Sequence, residues 1–261
     1  MIRVENKFKE LKEQKQKAFG VFLTAGYPSL KYSKDVLNKI LDAKADFIEI
    51  GLPFSDPMAD GPLIQHSSQI AIQQNTSVED CFKIVKEIRK KNNDIPVILM
   101  GYYNPIHYYG NLKFIKNAVS SGIDGLIIVD LPMEEDKEFY NLSYKNNLPL
   151  IRLVTPTTNE ARLKKILKNA CGFIYYVSVT GITGTKSATV KDVKNKIKII
   201  KKFTDLPIIA GFGIKNSIDA KKMSSISDGI VIGSSLVKKI DEVYKKKNGL
   251  NEIFKFLKSF K

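Results

Sequence analysis

The chain has 261 residues, 43% of them apolar, enough for one large domain or two small ones. It carries a formal charge of +15 with two cysteines and two histidines. Cys81 and Cys171 form no C-x-x-C pair, and His66 and His107 have no partner at ligand spacing, so neither a disulfide framework nor a metal site is expected. The sparse histidine also leaves little material for a Ser-His-Asp triad.

Only four of the 42 basic residues are arginine, and the lysines are spread over nearly every predicted helix. Nucleic-acid readout favours arginine and a concentrated patch, so the charge reads as solvated helix faces rather than a nucleic-acid surface. A field that helps hold a phosphorylated small molecule stays open. No apolar run approaches the roughly 18 residues of a membrane span. The first twenty residues lack a signal-peptide core, and their three glutamates argue against a transit peptide.

At the N-terminus, Val4, Phe8 and Leu11 recur at helical spacing and predict a short amphipathic helix over residues 2–16. Eight short runs rich in Val, Ile and Phe follow: FGVFLTAG, DFIEIGL, IPVILMGYY, DGLIIVDLP, LPLIRLVTP, GFIYYVSVTG, LPIIAGFG and DGIVIGSS. Amphipathic helical patterns such as VEDCFKIVKEIRKK and NEARLKKILKN separate them. Strand–helix alternation means βαβ units and a parallel sheet, and eight units in this length fit a closed (β/α)₈ barrel. No linker divides the chain, so residues 1–261 are expected to be a single domain. The terminal pattern LNEIFKFLKSF is expected to pack back on the barrel.

Barrel chemistry sits where strand C-termini run into the following loops, and the unusual residues of this chain gather there. Glu49, Asp56 and Asp60 follow strand 2, Tyr102 and Asn104 follow strand 3, and Asp130 follows strand 4. The loops after strands 6 to 8, TGITGTKSA, AGFGIKN and IGSSLVKK, are glycine-rich. Glycines admit close anion approach, and a helix starting after them adds a positive dipole end. Asn216 stands where a dinucleotide fingerprint needs its third glycine, and Thr185 precedes Lys186 where a Walker loop needs glycine. Together, with hydroxyls at Ser234 and Ser235 and a short helix after strand 8, these loops predict a phosphate pocket.

Along strand 2, Phe47, Glu49 and Gly51 share one face and Ile48 and Ile50 the other, so Glu49 should point into the barrel. A buried, unpaired carboxylate has a raised pKa and can exchange protons near neutrality. A glutamate satisfied by a lysine or hydroxyl is the structural alternative. Asp60 precedes Gly61-Pro62 and a helical pattern, so it reads equally as an N-cap or a functional acid. Asp56-Pro57 reads equally as a turn. Tyr175, within strand 6, is either core or a hydroxyl reaching the site.

The stretch IEIGLPFSDPMADG (residues 48–61) resembles the signature of the tryptophan synthase alpha chain family. FLTAGYP, the SVTGITG loop, GFGI and GSS extend the resemblance in order and spacing over essentially the whole chain. The family implies a (β/α)₈ barrel that cleaves indole-3-glycerol phosphate to indole and glyceraldehyde 3-phosphate by a retro-aldol reaction. By resemblance, Glu49 is the general acid–base, Asp60 the partner of the indole N–H, and Tyr175 a supporting tyrosine. Gly184, Gly213, Gly233 and Ser234 match phosphate contacts, with Phe212 and Ser235 adjoining. Phe22, Met100, Tyr102, Ile127, Val129 and Leu153 correspond to an apolar slot for the indole, and Thr183 lies in a loop that closes over substrate toward Asp60. Val179 stands where some members carry arginine. The resemblance implies no cofactor in this chain and a beta-chain partner that carries pyridoxal phosphate, in an alpha2beta2 tetramer. Residues 53–56 and 102–110 match the interface parts. It also implies a bacterial cytosol or a plastid stroma. A free-standing indole-3-glycerol phosphate lyase, working without a beta chain, is the alternative.

Overall fold

The computed structural model describes residues 2–177, 189–211 and 213–261. Eight parallel strands make the barrel: β1 (Ala18–Thr24), β2 (Phe47–Gly51), β3 (Val97–Gly101), β4 (Gly125–Ile128), β5 (Arg152–Val154), β6 (Ile174–Val177), β7 (Ile208–Gly211) and β8 (Gly229–Ile232). Their order runs β4-β3-β2-β1-β8-β7-β6-β5, with β1 paired to both β2 and β8. The remaining seam, between β4 and β5, closes through a single bridge, Leu126 to Leu150. Two backbone bonds make it, Leu126 N–H to the Pro149 carbonyl at 2.9 Å and Ile151 N–H to Leu126 at 2.8 Å. The run LPLIRLVTP predicts a longer fifth strand than the three residues found. Pro149 has no N–H to donate, which cuts the ladder at that end.

Helices follow the strands on the outside, each burying one stripe. The helix Val78–Lys91 starts on a capping box in which Ser77 and Asp80 bond reciprocally, and it buries Cys81, Ile84, Val85 and Ile88 against the sheet. The C-terminal helix Gly249–Lys258 buries Ile253 and Leu257, and Phe260 beyond it stacks on Phe19 with ring centroids 6.0 Å apart.

The N-terminal helix, Ile2–Glu13, buries the three residues whose spacing predicts it, Val4, Phe8 and Leu11. Phe8 meets Phe47 and Phe173, with ring centroids 6.1 and 5.4 Å away. Phe47 and Phe173 lie 5.5 Å apart, so three aromatic rings close the floor of the barrel. Gly20 makes room for this plug: a Cβ there would stand 2.2 Å from the Phe47 ring. Inward positions of β2 therefore rise in layers, with Phe47 in the plug, Glu49 above it and Gly51 at the mouth.

An aspartate immediately before β2, β4 and β8 accepts the backbone N–H at or near the start of the neighbouring strand. Asp46 takes Phe19, Asp124 takes Val97 and Asp228 takes Ile208, each at 2.8 Å. Asp124 is buried and also accepts from Arg89 at 2.6 Å and from Arg3 of the N-terminal helix at 2.9 Å. One carboxylate thus ties the plug helix, the Val78–Lys91 helix and β3 together. Removing one partner of such a buried pair leaves charge uncompensated. Asp124→Ala is expected to lower unfolding free energy by about 3 kcal/mol, measured by urea denaturation. A change within about 0.5 kcal/mol, the ordinary range for a surface position, would contradict that role.

Candidate active site

At the C-terminal mouth of the strands lies a cavity of about 500 Å³, within the range of small-molecule sites. Phe22, Met100 and Tyr175 line it, with Leu63 and Ile64 from the helix Pro62–Gln73. Gly213, Gly233, Ser234, Ser235 and Asp60 line it as well. Apolar side chains, an acid and a glycine-serine cluster therefore share one hollow.

Glu49 is completely buried, between Phe22 of β1 and Ile98 of β3 in register. It lies beneath the cavity rather than among its lining residues. Neither carboxyl oxygen has a hydrogen-bond partner of good geometry among the described residues. Burial pushes its pKa up to about 8, so the group holds a proton at neutral pH. The Tyr175 hydroxyl acts on the carboxyl and opposes the shift. Burial is the larger of the two effects. The Tyr175 hydroxyl itself is held well above its ordinary pKa by burial, then by the charges of Glu49 and Asp60. Gly211 gives this phenol its place, since a Cβ there would stand 2.2 Å from the hydroxyl oxygen.

Asp60 ends the loop after β2. The N-cap of the following helix is Gly61, with Pro62 in the first turn and no side-chain cap, so the capping role open to Asp60 on sequence is not the one it plays. Its carboxylate accepts from the Tyr102 hydroxyl at 3.0 Å, and that hydroxyl accepts from Ala59 N–H at 2.9 Å. Gln65 holds the Asp60 carbonyl at 2.9 Å, while Ser68 bonds both the N–H and the carbonyl of Phe54, at 2.7 and 2.9 Å. The acid is thus fixed by side chain and main chain together. Burial pushes its pKa up to about 6, with the Tyr102 bond pulling the other way. Asp56, by contrast, is exposed and bonded to its neighbour Ser55 at 2.5 Å.

At the glycine-rich end, Gly213 adopts φ +81°, a left-handed conformation that side chains resist. Gly233 caps the helix Ser234–Val243 without a side-chain bond, and among the described residues no acceptor is seen for the Ser234 and Ser235 amides. The hydroxyl oxygen of Ser235 is buried without a partner among the described residues. Donors without acceptors at a helix N-terminus are the chemistry of an anion site.

Tyr102, Val129, Phe22 and Met100 also line a small adjoining hollow of about 20 Å³ beside Asp60. Ile127 is fully buried in β4 and lines neither space, and Leu153 borders a separate cleft at the β4–β5 seam. Thr183, Gly184 and Phe212, with Val179, lie outside the described residues. Sequence reasoning treats Tyr102 as apolar lining and misses its bond to Asp60. It also misses Leu63 and Ile64, whose signal is their place in the first turn after the Gly61-Pro62 helix start.

The family model for the tryptophan synthase alpha chain matches residues 8–261. The chain belongs to the tryptophan synthase alpha chain family. The alpha chain of Geotalea daltonii is 44% identical over 242 residues, covering 93% of this chain and 91% of that relative. Tryptophan synthase subunit alpha from Legionella pneumophila superposes with a TM-score of 0.92 at 34% identity, over 99% of this chain and 96% of that one. A tryptophan synthase structure from M. tuberculosis in its aminoacrylate-bound form gives 0.88 at 26% identity, over 99% and 97%. As in other alpha chains of the family, the fold is the (β/α)₈ barrel that the strand rhythm predicts.

The Tyr102–Asp60 bond is open to direct test. Tyr102→Phe removes the donor that stabilises the carboxylate, so the Asp60 pKa is expected to rise above about 6. Carbon-13 NMR of labelled aspartate reads it, and an unchanged titration would show that the hydroxyl does not tune Asp60.

Proposed function

We propose that the cavity at the barrel mouth is where this chain, a tryptophan synthase alpha subunit, cleaves indole-3-glycerol phosphate to indole and glyceraldehyde 3-phosphate. The observation that carries the reading is the pair of acids held in opposite states beside one cavity. Glu49 keeps its proton to about pH 8, whereas Asp60 gives its proton up near 6. Two carboxyls whose surroundings separate their pKa values are an acid–base assignment.

The roles follow from what the reaction needs. Indole carbon 3 accepts a proton from Glu49, and the ring becomes an iminium with positive charge on its N–H. Asp60, ionised and held by Tyr102, accepts a hydrogen bond from that N–H and stabilises the charge as it develops. The hydroxyl next to the breaking bond then loses its proton to the Glu49 carboxylate, its electron pair forms the aldehyde, and the carbon–carbon pair returns to the ring. Glu49 ends protonated, as it began. With its oxygens beneath the cavity in this conformation, its side chain must turn toward the substrate to act. Tyr175 sits beside it and steadies the carboxyl in either state.

The apolar side of the cavity, with Phe22, Met100, Leu63 and Ile64, suits the indole ring. Gly213, Gly233, Ser234 and Ser235 suit the phosphate, with Gly184 and Phe212 proposed as further phosphate contacts and Thr183 as a further substrate contact on Asp60's side, from the family pattern. This reading puts the ring near the acids and the phosphate at the helix N-terminus. No bound cofactor enters this scheme. The partner is proposed to be a beta chain carrying pyridoxal phosphate, assembled as alpha2beta2 through residues 53–56 and 102–110, in the cytoplasm. No helix among the described residues is long and apolar enough to cross a membrane. The free-standing lyase is not favoured, because the matched relatives are alpha chains.

Indole release by wild type, Glu49→Gln and Asp60→Asn tests the assignment. Glu49→Gln is expected to lower kcat on the order of a hundredfold or more, because it cannot cycle a proton, while binding of glycerol phosphate is retained. In wild type, kcat/KM should rise through about pH 6 as Asp60 ionises and fall through about 8 as Glu49 loses its proton. Full activity in Glu49→Gln would remove it from the chemistry.

A further inference from the structure

The glycine-rich end of the cavity presents polarised N–H groups but also two lysines. Lys215 stands two residues beyond Gly213, and Lys238 lies one turn into the helix Ser234–Val243; both line the cavity. Both are exposed. Next to Lys238, Lys239 is committed to carboxylates, at 3.6 Å from Glu242 and 3.1 Å from Glu252. Neither the Lys215 nor the Lys238 ammonium has such an ion pair among the described residues. The nearby Asp219 carboxylate accepts the backbone N–H of Lys215 at 3.3 Å.

Helix geometry explains why Lys238 belongs to the site. It is four residues after Ser234, hence on the same face, and helical side chains lean toward the N-terminus over the preceding turn. Its ammonium is carried back toward the open amides at Ser234 and Ser235. Lys215 approaches from the facing loop, anchored by the burial of Ile214 beside it. A phosphate monoester carries between about −1.5 and −2 charges at pH 7, more than a few amide dipoles neutralise. Two lysines that face the cavity and are not claimed by acids supply that balance.

We propose that Lys215 and Lys238 form a cationic clamp on the substrate's phosphate, so that recognition combines backbone donors with two full charges. The clamp rests on the assignment of this end of the cavity to phosphate. It acts on ground-state and transition-state binding alike, because the phosphate does not take part in bond breaking, and therefore sets KM rather than kcat. It also makes affinity sensitive to salt, since both ammonium groups are open to solvent.

Steady-state indole release at low and high salt, for wild type, Lys215→Met, Lys238→Met and the double variant, tests this. The double variant is expected to raise KM by about fivefold or more with kcat unchanged, and to flatten the rise of KM with salt. Calorimetric affinity for glycerol 3-phosphate should fall by a similar factor, whereas inhibition by indole-3-propanol, which has no phosphate, should stay the same. Unchanged KM and glycerol 3-phosphate affinity would overturn the clamp, as would an equal loss of indole-3-propanol binding, which would mean a damaged cavity. If wild type released no indole yet bound glycerol 3-phosphate in a lysine-dependent way, the lyase reading would fail and the clamp would stand.

Discussion

The burial of Glu49 is the constraint on which the rest of the site depends. Beneath it, Phe8, Phe47 and Phe173 exclude water, and at its sides are Phe22 and Ile98. Among the described residues no cation stands within ion-pair distance, so desolvation decides its charge and the proton stays on. The same burial weighs on the fold. The unfolded chain releases this proton near 4.5 and the folded one near 8. As pH rises between those values the unfolded state is the first to lose it, so stability falls across the window and is unaffected below it. A fold that keeps an acid there accepts a strained site in exchange for a carboxyl that works at neutral pH.

Around that carboxyl the barrel distributes its tasks by strand. β2 and its loop bring the two acids, β3 leads directly into the tyrosine that fixes Asp60, and β6 provides the tyrosine beside Glu49. The loops after β7 and β8 hold the anion-binding end. Because each group hangs from a separate strand, the distances between them are set by barrel registration rather than by any one loop. The floor matters for the same reason: the N-terminal helix, pinned by Arg3 to Asp124, seals the end opposite the chemistry.

Much of this was legible in the chain. The eight apolar runs mark the strands because buried parallel strands need continuous β-branched residues, and Val4, Phe8 and Leu11 mark the plug helix. Glu49 stood out as a charge in an apolar run, and alternation alone put it on the inner face. On residue chemistry alone Asp60 stays open, since Asp-Gly-Pro fits both a cap and a functional acid; the family resemblance picks the functional acid, and the position of Tyr102, forty-two residues away, gives its partner. The short β5 and its single bridge were also hidden, because one proline's missing donor matters only once its neighbour is known. Lys215 and Lys238 were lost among 42 basic residues, as composition cannot tell a lysine facing a cavity from one facing solvent.

Everything in the proposed chemistry turns on Glu49 being a neutral acid in the resting protein. Infrared difference spectra between wild type and Glu49→Gln, recorded across pH, read its protonated carbonyl directly. A carboxylic-acid band is expected to persist through neutrality and to disappear with a midpoint near 8. A band already gone by about pH 5, the ordinary carboxylate range, would show Glu49 to be ionised in the resting protein and remove it as the proton donor.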